Sequence, residues 1–336
     1  MNSNTGYSGQ KSIGQIPEKA CSKGYTSLFF CGELCYNRPI GAQMPTQKGS
    51  VIGMETVVIL GAGMMGRAAR NLLNLNRMEL VAIGDNNPRV WDTGAEVQIL
   101  PVAEALQADP DYVLIGVIDD ERSGQLIAQT RELGYTGRIM ALSDVYTAFD
   151  VRGATFRRMA DRLCQRGVPG ALAELGTYRG DFAWQLNDRF PDRKLYLFDT
   201  FEGFDERDIR TEHARSHAQA QPRDFSATSE QDVLARMPYE SQVIIRKGYF
   251  PDTARGLEEE TFALVSLDVD LYAPTMAGLT FFWPRLAPGG AIMLHDYNSL
   301  QFDGVRRALE DYEALNGPLP MVPLSDLHGT AVIIRP

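Results

Sequence analysis

From Ala171 to Leu175 the chain is apolar except for Glu174, and it then empties into a glycine-punctuated turn, Gly176 to Gly180. A helical pattern begins at Asp181. A strand that ends in a glycine turn and feeds a helix N-terminus is a cofactor cradle, because backbone without a Cβ can come close to a ligand. The spacing is Glu-x-Gly-x-x-x-Gly, looser than the dinucleotide fingerprint. With acidic residues at the strand ends that follow, the stretch reads as the first strand of a second sheet.

Downstream, Lys194 to Phe198 forms the next strand and ends in Asp199, 25 positions after Glu174. A carboxylate at that tip can accept both hydroxyls of a ribose, or it can cap a turn. Residues 204–240 are polar and weakly patterned, with His213 and His217 but no third ligand at suitable spacing. They read as a mobile lid, closed by a helix over Ser229 to Met237. Further strands are expected at Gln242 to Arg246, Phe262 to Leu267 and Ala291 to Leu294. Helices are expected at Phe182 to Phe190, Thr275 to Leu286 and Gly304 to Ala314. Met321 to Leu324 and Ala331 to Ile334 pair across a short loop as an antiparallel hairpin. Five strand-helix units closed by a hairpin predict a seven-stranded sheet.

In that arrangement the ends of the fourth and fifth strands are neighbours, so Asp268 faces His295 and Asp296. Two carboxylates and an imidazole converging at a switch-point crevice make a hard-cation site suited to magnesium, unless the acids only bind turn amides. Asp270 shares alternation with Asp268, so it could serve in its place, but it is expected to stand behind the ligands.

An earlier α/β unit precedes this one. Val57 to Leu60 is a strand, Gly61-Ala62-Gly63-Met64-Met65-Gly66 follows, and Arg67 to Leu75 reads as a helix. A second strand, Glu79 to Gly84, ends at Asp85, 24 positions after Gly61, where a ribose-binding acid would stand. Strands at Tyr112 to Val117 and Arg138 to Leu142, with helices near Ala103 to Leu106 and Glu121 to Leu133, complete a parallel sheet. Gly61, Gly63, Gly66 and Asp85 could hold a nicotinamide dinucleotide, NAD(P), or a nucleotide such as a nucleotide-sugar. The unit could equally be empty and structural or dimerising. It resembles the small Rossmann-like modules attached to sugar-modifying enzymes.

The segments divide as a leader at 1–53, a Rossmann-like nucleotide-binding domain at 54–143, a helical linker at 144–170 and a second domain at 171–336. The leader has no sustained period and is expected to be disordered, or to precede a true start at Met54. Its Cys31 and Cys35 have no further ligands nearby. In the linker, Arg152 to Arg166 is an amphipathic helix that is expected to close over the second domain's cofactor, with Cys164 an inert core thiol. Cys21 completes a set of four cysteines without a zinc or disulfide framework, which points to a reduced, cytoplasmic protein. A net charge of −10 argues against a nucleic-acid partner, and no apolar run is long enough for a membrane span. The oligomeric state is left open, with a homo-oligomer among the options.

Five stretches then occur in order: Glu174 to Gly180, Asp199 to Gly203, Gly248 to Thr253, Leu267 to Tyr272 and His295 to Tyr297. Together they resemble the macrocin O-methyltransferase family over roughly Asp150 to Glu313. The second domain is then expected to be a seven-stranded class I methyltransferase fold; with the first unit the reading is two doubly wound Rossmann-like α/β domains, the first of which departs from the antibiotic-tailoring members of the family. The resemblance implies magnesium-assisted methyl transfer from S-adenosylmethionine to the hydroxyl of a sugar or glycoside. By position, Glu174, Gly176 and Gly180, with Thr177, Tyr178 and Gly248, would line the cofactor, and Asp199 would take its ribose. Asp268, His295 and Asp296 would hold the metal, with Asp268 or His295 accepting the hydroxyl proton. Family members often carry two adjacent Asp residues where this chain has His295-Asp296, so His295 is either ligand or base. The rival readings are a nucleotide-sugar or NAD-binding oxidoreductase run by the first domain, and a scaffold that has lost chemistry.

Overall fold

The computed structural model describes residues 53–215, 220–222, 224–299 and 303–336. The expected leader up to Ile52, with Cys21, Cys31 and Cys35, and the candidate ligand His217 lie outside the described residues. Two sheets fall within one compact body, Val51–Pro336.

The first sheet contains β1 (Glu55–Leu60), β2 (Met78–Gly84), β3 (Ile99–Leu100), β4 (Tyr112–Ile115) and β5 (Arg138–Ala141). All pairings are parallel, in the order β3-β2-β1-β4-β5. Helices α1 (Met64–Arg70), α2 (Val102–Ala105), α3 (Asp120–Glu132) and α4 (Leu142–Ala148) connect and follow the strands. Alternate residues of β1 feed opposite cores: Val57 and Ile59 one, Val58 and Leu60 the other. Both faces of this parallel sheet are therefore apolar, and the glycine turn after β1 sits where the strand order reverses.

The second sheet is entered through α5 (Val151–Arg166) and β6 (Ala171–Leu175). It continues through α6 (Asp181–Arg189), β7 (Leu195–Asp199), α7 (Glu206–Arg215), α8 (Glu230–Arg236) and β8 (Val243–Lys247). It closes with β9 (Phe262–Leu267), α9 (Tyr272–Phe282), β10 (Leu286–Leu294), α10 (Gly304–Asn316), β11 (Met321–Pro323) and β12 (Ala331–Ile334). The order is β8-β7-β6-β9-β10-β12-β11, with β12 antiparallel to both neighbours. The expected seven strands and terminal antiparallel pair are present. The switch point lies between β6 and β9, so the turn after β6 and the acids after β9 and β10 open at one edge.

Several expectations shift. Helix α1 begins directly after Gly63 and stops at Arg70, not at Leu75. The Asn-rich stretch beyond it leaves Leu72 47% and Leu75 56% exposed, so their helical spacing marked no buried face. Strand β10 starts at Leu286, because a register irregularity between Leu286 and Ala291 absorbs the Pro288-Gly289-Gly290 stretch that reads as a turn. The segment expected as a lid carries the ten-residue α7. Its buried Glu212 accepts a hydrogen bond from the Tyr272 amide, 2.8 Å away, tying α7 to the start of α9. Cys164 is exposed, not a core thiol. The buried stripe of α5 is Phe156, Ala160 and Leu163, and Cys164 falls one step off it.

Candidate active site

A cavity of about 420 Å³ opens along the carboxyl ends of β6, β7, β9 and β10. One wall is shaped by Gly176, whose φ is +85°, where a Cβ would stand 1.9 Å from the Asp268 carbonyl oxygen. Glycine alone permits that approach of two strand tips. Asp199 Oδ2 accepts from the amides of Thr177 and Tyr178 at 2.7 and 2.9 Å, and Oδ1 accepts from Phe201 N at 2.7 Å. Both oxygens are thus engaged by backbone, and this carboxylate bends the turn before it meets any ribose. Glu174, Gly176, Thr177, Tyr178, Asp199 and Gly248 line the cavity. Gly180 is not among the lining residues; it precedes α6 with φ +78° and packs toward Val233 and Met237.

Glu174 is 2% exposed, and its Oε2 has no hydrogen-bond partner. Burial pushes its carboxyl well above the ordinary range, against the pull of Arg152. A buried polar atom left open beside a cavity is a place for a ligand to complete.

At the opposite wall, Leu267 pairs with Leu294, which brings the residues after both strands level. His295 Nδ1 lies 2.9 Å from Asp268 Oδ1 and 2.8 Å from Asp296 Oδ2. Arg152, reaching in from α5, donates to Asp268 Oδ2 at 2.7 Å and to Ser266 Oγ at 2.8 Å. Its guanidinium stacks 4.3 Å from the centre of the Phe182 ring. Burial acts to raise the Asp268 carboxyl, but the His295 and Arg152 cations overcome it and hold it below the usual range. Burial likewise opposes charge on His295, yet Asp268 and Asp296 lift it to about 10. Asp270 is pushed well up by burial, then by the charges of Asp296 and Asp268. Two cations thus balance two carboxylates, while Asp270 and Glu174 are held toward the neutral form.

The expected magnesium site is therefore closed by the protein itself. Both oxygens of Asp268 and Nδ1 of His295 are committed to one another or to Arg152. Among the described residues, the set whose ligand atoms all lie within 4.8 Å of one another is His295, Asp296 and His328, without Asp268. Two imidazoles and one carboxylate are not a magnesium donor set, so the residues present do not fit that ion.

Sequence reasoning missed Arg152 and His328. Arg152 looked like the polar face of a linker helix. Its partner stands 116 positions away, and no local pattern signals such a pairing. His328 sits in the short loop before β12, with Nδ1 3.7 Å from Asp296 Oδ1 and Nε2 3.4 Å from the Tyr146 hydroxyl. His213 does not join the site: its Nε2 lies 3.1 Å from the Ala220 carbonyl oxygen.

The first sheet repeats the same device. Asp85 accepts from Ala62 N at 2.6 Å and from Asn87 N at 2.7 Å, again spending both oxygens on backbone. Gly61 has φ +108°, and a Cβ on Gly66 would stand 1.8 Å from the Gly61 carbonyl oxygen, so close packing of α1 accounts for both. Gly63 has open space where its Cβ would be. Met64, the first residue of α1, lines the cavity of the second sheet and contacts Ser299, Sδ to Oγ 3.6 Å.

The profile of the macrocin-O-methyltransferase (TylF) family matches residues 129–335. The chain is 33% identical over 187 residues to the 8-demethyl-8-(2,3-dimethoxy-alpha-L-rhamnosyl)-tetracenomycin-C 4'-O-methyltransferase of Streptomyces olivaceus, covering 50% of this chain and 67% of that one. It is 30% identical over 164 residues to the mycinamicin III 3''-O-methyltransferase of Micromonospora griseorubida, covering 45% and 63%. It is 26% identical over 168 residues to the demethyldecarbamoylnovobiocin O-methyltransferase of Streptomyces niveus, covering 47% and 63%. The chain spans about two thirds of the length of these relatives, and its first sheet lies largely outside the matched region.

Proposed function

The chain belongs to the macrocin-O-methyltransferase family, and on that premise we propose that it moves a methyl group from S-adenosylmethionine to a hydroxyl of a glycoside or nucleotide-sugar. The observation that carries this reading is a single cavity with a glycine-turn cradle and the open carboxyl of Glu174 at one wall, and a buried imidazole-carboxylate cluster at the other.

The sulfonium methyl arrives activated, so the cofactor supplies the difficult chemistry. The protein aligns the acceptor oxygen with the methyl-sulfur axis, which removes much of the entropic part of the barrier. The C–O bond forms as the S–CH₃ bond breaks, S-adenosylhomocysteine leaves, and the hydroxyl proton passes to the cluster. His295 holds its Nδ1–H between Asp268 and Asp296, so the groups of this cluster that can take the proton are its carboxylates. Gly176, Thr177, Tyr178 and Gly248 border the donor, and Glu174 completes its polar contacts.

Isothermal titration with S-adenosylmethionine, S-adenosylhomocysteine and NAD tests the reading, followed by labelled methyl transfer into a cytosolic nucleotide-sugar extract. Binding of both adenosyl compounds and a labelled sugar are expected. Binding of NAD alone would point to an oxidoreductase, and binding of none would point to a scaffold.

A further inference from the structure

We propose that this chain carries its own cation in place of a divalent metal: Arg152, with His295, occupies Asp268 and Asp296 and leaves the methyl-transfer site metal-independent. The inference rests on the methyltransferase reading but makes a separate claim about ion binding. Arg152 is held from two sides. Asp150 caps α5 by accepting from Gly153 N at 2.7 Å, which fixes the turn that bears Arg152. At the far end, the guanidinium donates to Asp268 and Ser266 and stacks on Phe182, and the side chain is only 14% exposed. Such a fork is preorganised, unlike a flexible ammonium.

The packing points the same way. Arg152 and the His295 ring already fill the space between Asp268 and Asp296, so a dication entering here would have to evict a buried guanidinium and displace the imidazole. The open oxygens that a hard ion needs are the ones the protein has already paired. What a metal would do, these side chains do in part: they keep Asp268 anionic and fixed, and they hold positive charge near the acceptor oxygen. Arg152 Nε is buried and has no partner, leaving one donor uncommitted at the site. Arg152 is in these terms a positioning residue for Asp268.

The test uses the full chain, stripped with EDTA and checked for residual metal by mass spectrometry. Titrating it with MgCl₂, MnCl₂ and ZnCl₂ is expected to give no stoichiometric binding at millimolar ion. Labelled methyl transfer into the nucleotide-sugar extract is expected to stay within about two-fold with and without EDTA. The pair R152M and H295D, combined, removes the guanidinium and the imidazole and supplies an oxygen, and it is expected to gain measurable magnesium binding. R152M alone should lose at least ten-fold in transfer, with R152K recovering part of it, while circular dichroism reports that each variant is folded. Stoichiometric binding of any of the three ions by the parent chain, or a ten-fold loss in EDTA restored by one of them, overturns the proposal. Zinc binding in particular would assign the ion to His295, Asp296 and His328. Failure to bind S-adenosylmethionine would instead sink the methyltransferase reading, and the metal titrations would still decide this one.

Discussion

Gly176 shows how little room the site leaves at single atoms. A methyl group there would collide with the Asp268 carbonyl and force a positive φ on an L residue. Gly176→Ala is expected to lower stability by about 2–4 kcal/mol and to abolish S-adenosylmethionine binding, read by thermal melting and titration calorimetry. Asp208 gives a pH-dependent case. Burial pushes its carboxyl from 3.8 to about 6, although the Tyr249 hydroxyl donates to it at 3.2 Å. The folded state therefore holds this proton more tightly than the unfolded chain. The contribution is full below pH 4 and is lost as pH rises to about 6. Asp208→Asn keeps an acceptor for Tyr249 and is expected to raise stability at pH 7.5 by about 1–3 kcal/mol, with no gain at pH 4. Glu174, Asp268, His295 and Asp296 were legible in the sequence because each ends or follows an apolar strand. Arg152 was not, because its place depends on how a helix packs across the sheet, and only the folded chain contains that information.

At the level of elements, strands were easier to read than helices. The seven strands of the second sheet follow from short apolar runs, several of them closed by an acid such as Asp199 or Asp268. Helix α7 carries no apolar period to read, because Glu206–Arg215 is strongly polar; buried Glu212 and Ile209 hold it in place. Helix α1 was misplaced because leucines at helical spacing beyond it are exposed. The two glycine turns share a design that their sequences disguise: in each, the acid at the tip of the second strand clamps the turn through backbone amides. Asp85→Ala is expected to cost about 1–3 kcal/mol by leaving Ala62 N and Asn87 N unpaired, and to speed amide exchange at those two positions without any nucleotide present. If exchange there changes only when a nucleotide is added, the acid serves a ligand after all.

On the scale of the whole molecule, the two sheets meet at the cavity of the second. Met64 of the first sheet contacts Ser299, Tyr146 stands by His328, and Leu327 packs into a core of the first sheet. Contacts between segments separated by 182 and 235 positions have no period for a sequence to display. Met64→Ala is expected to leave S-adenosylmethionine affinity within about two-fold and to raise the acceptor KM several-fold; an unchanged KM would mean that the acceptor never reaches that wall. No helix of the described residues is long and apolar enough to cross a membrane. The shared wall also bears on how the gene can be trimmed. A fragment that begins after Ala148 would keep every strand of the second sheet, yet its chamber would be missing a side, and rates measured on it would describe a wider and less selective catalyst.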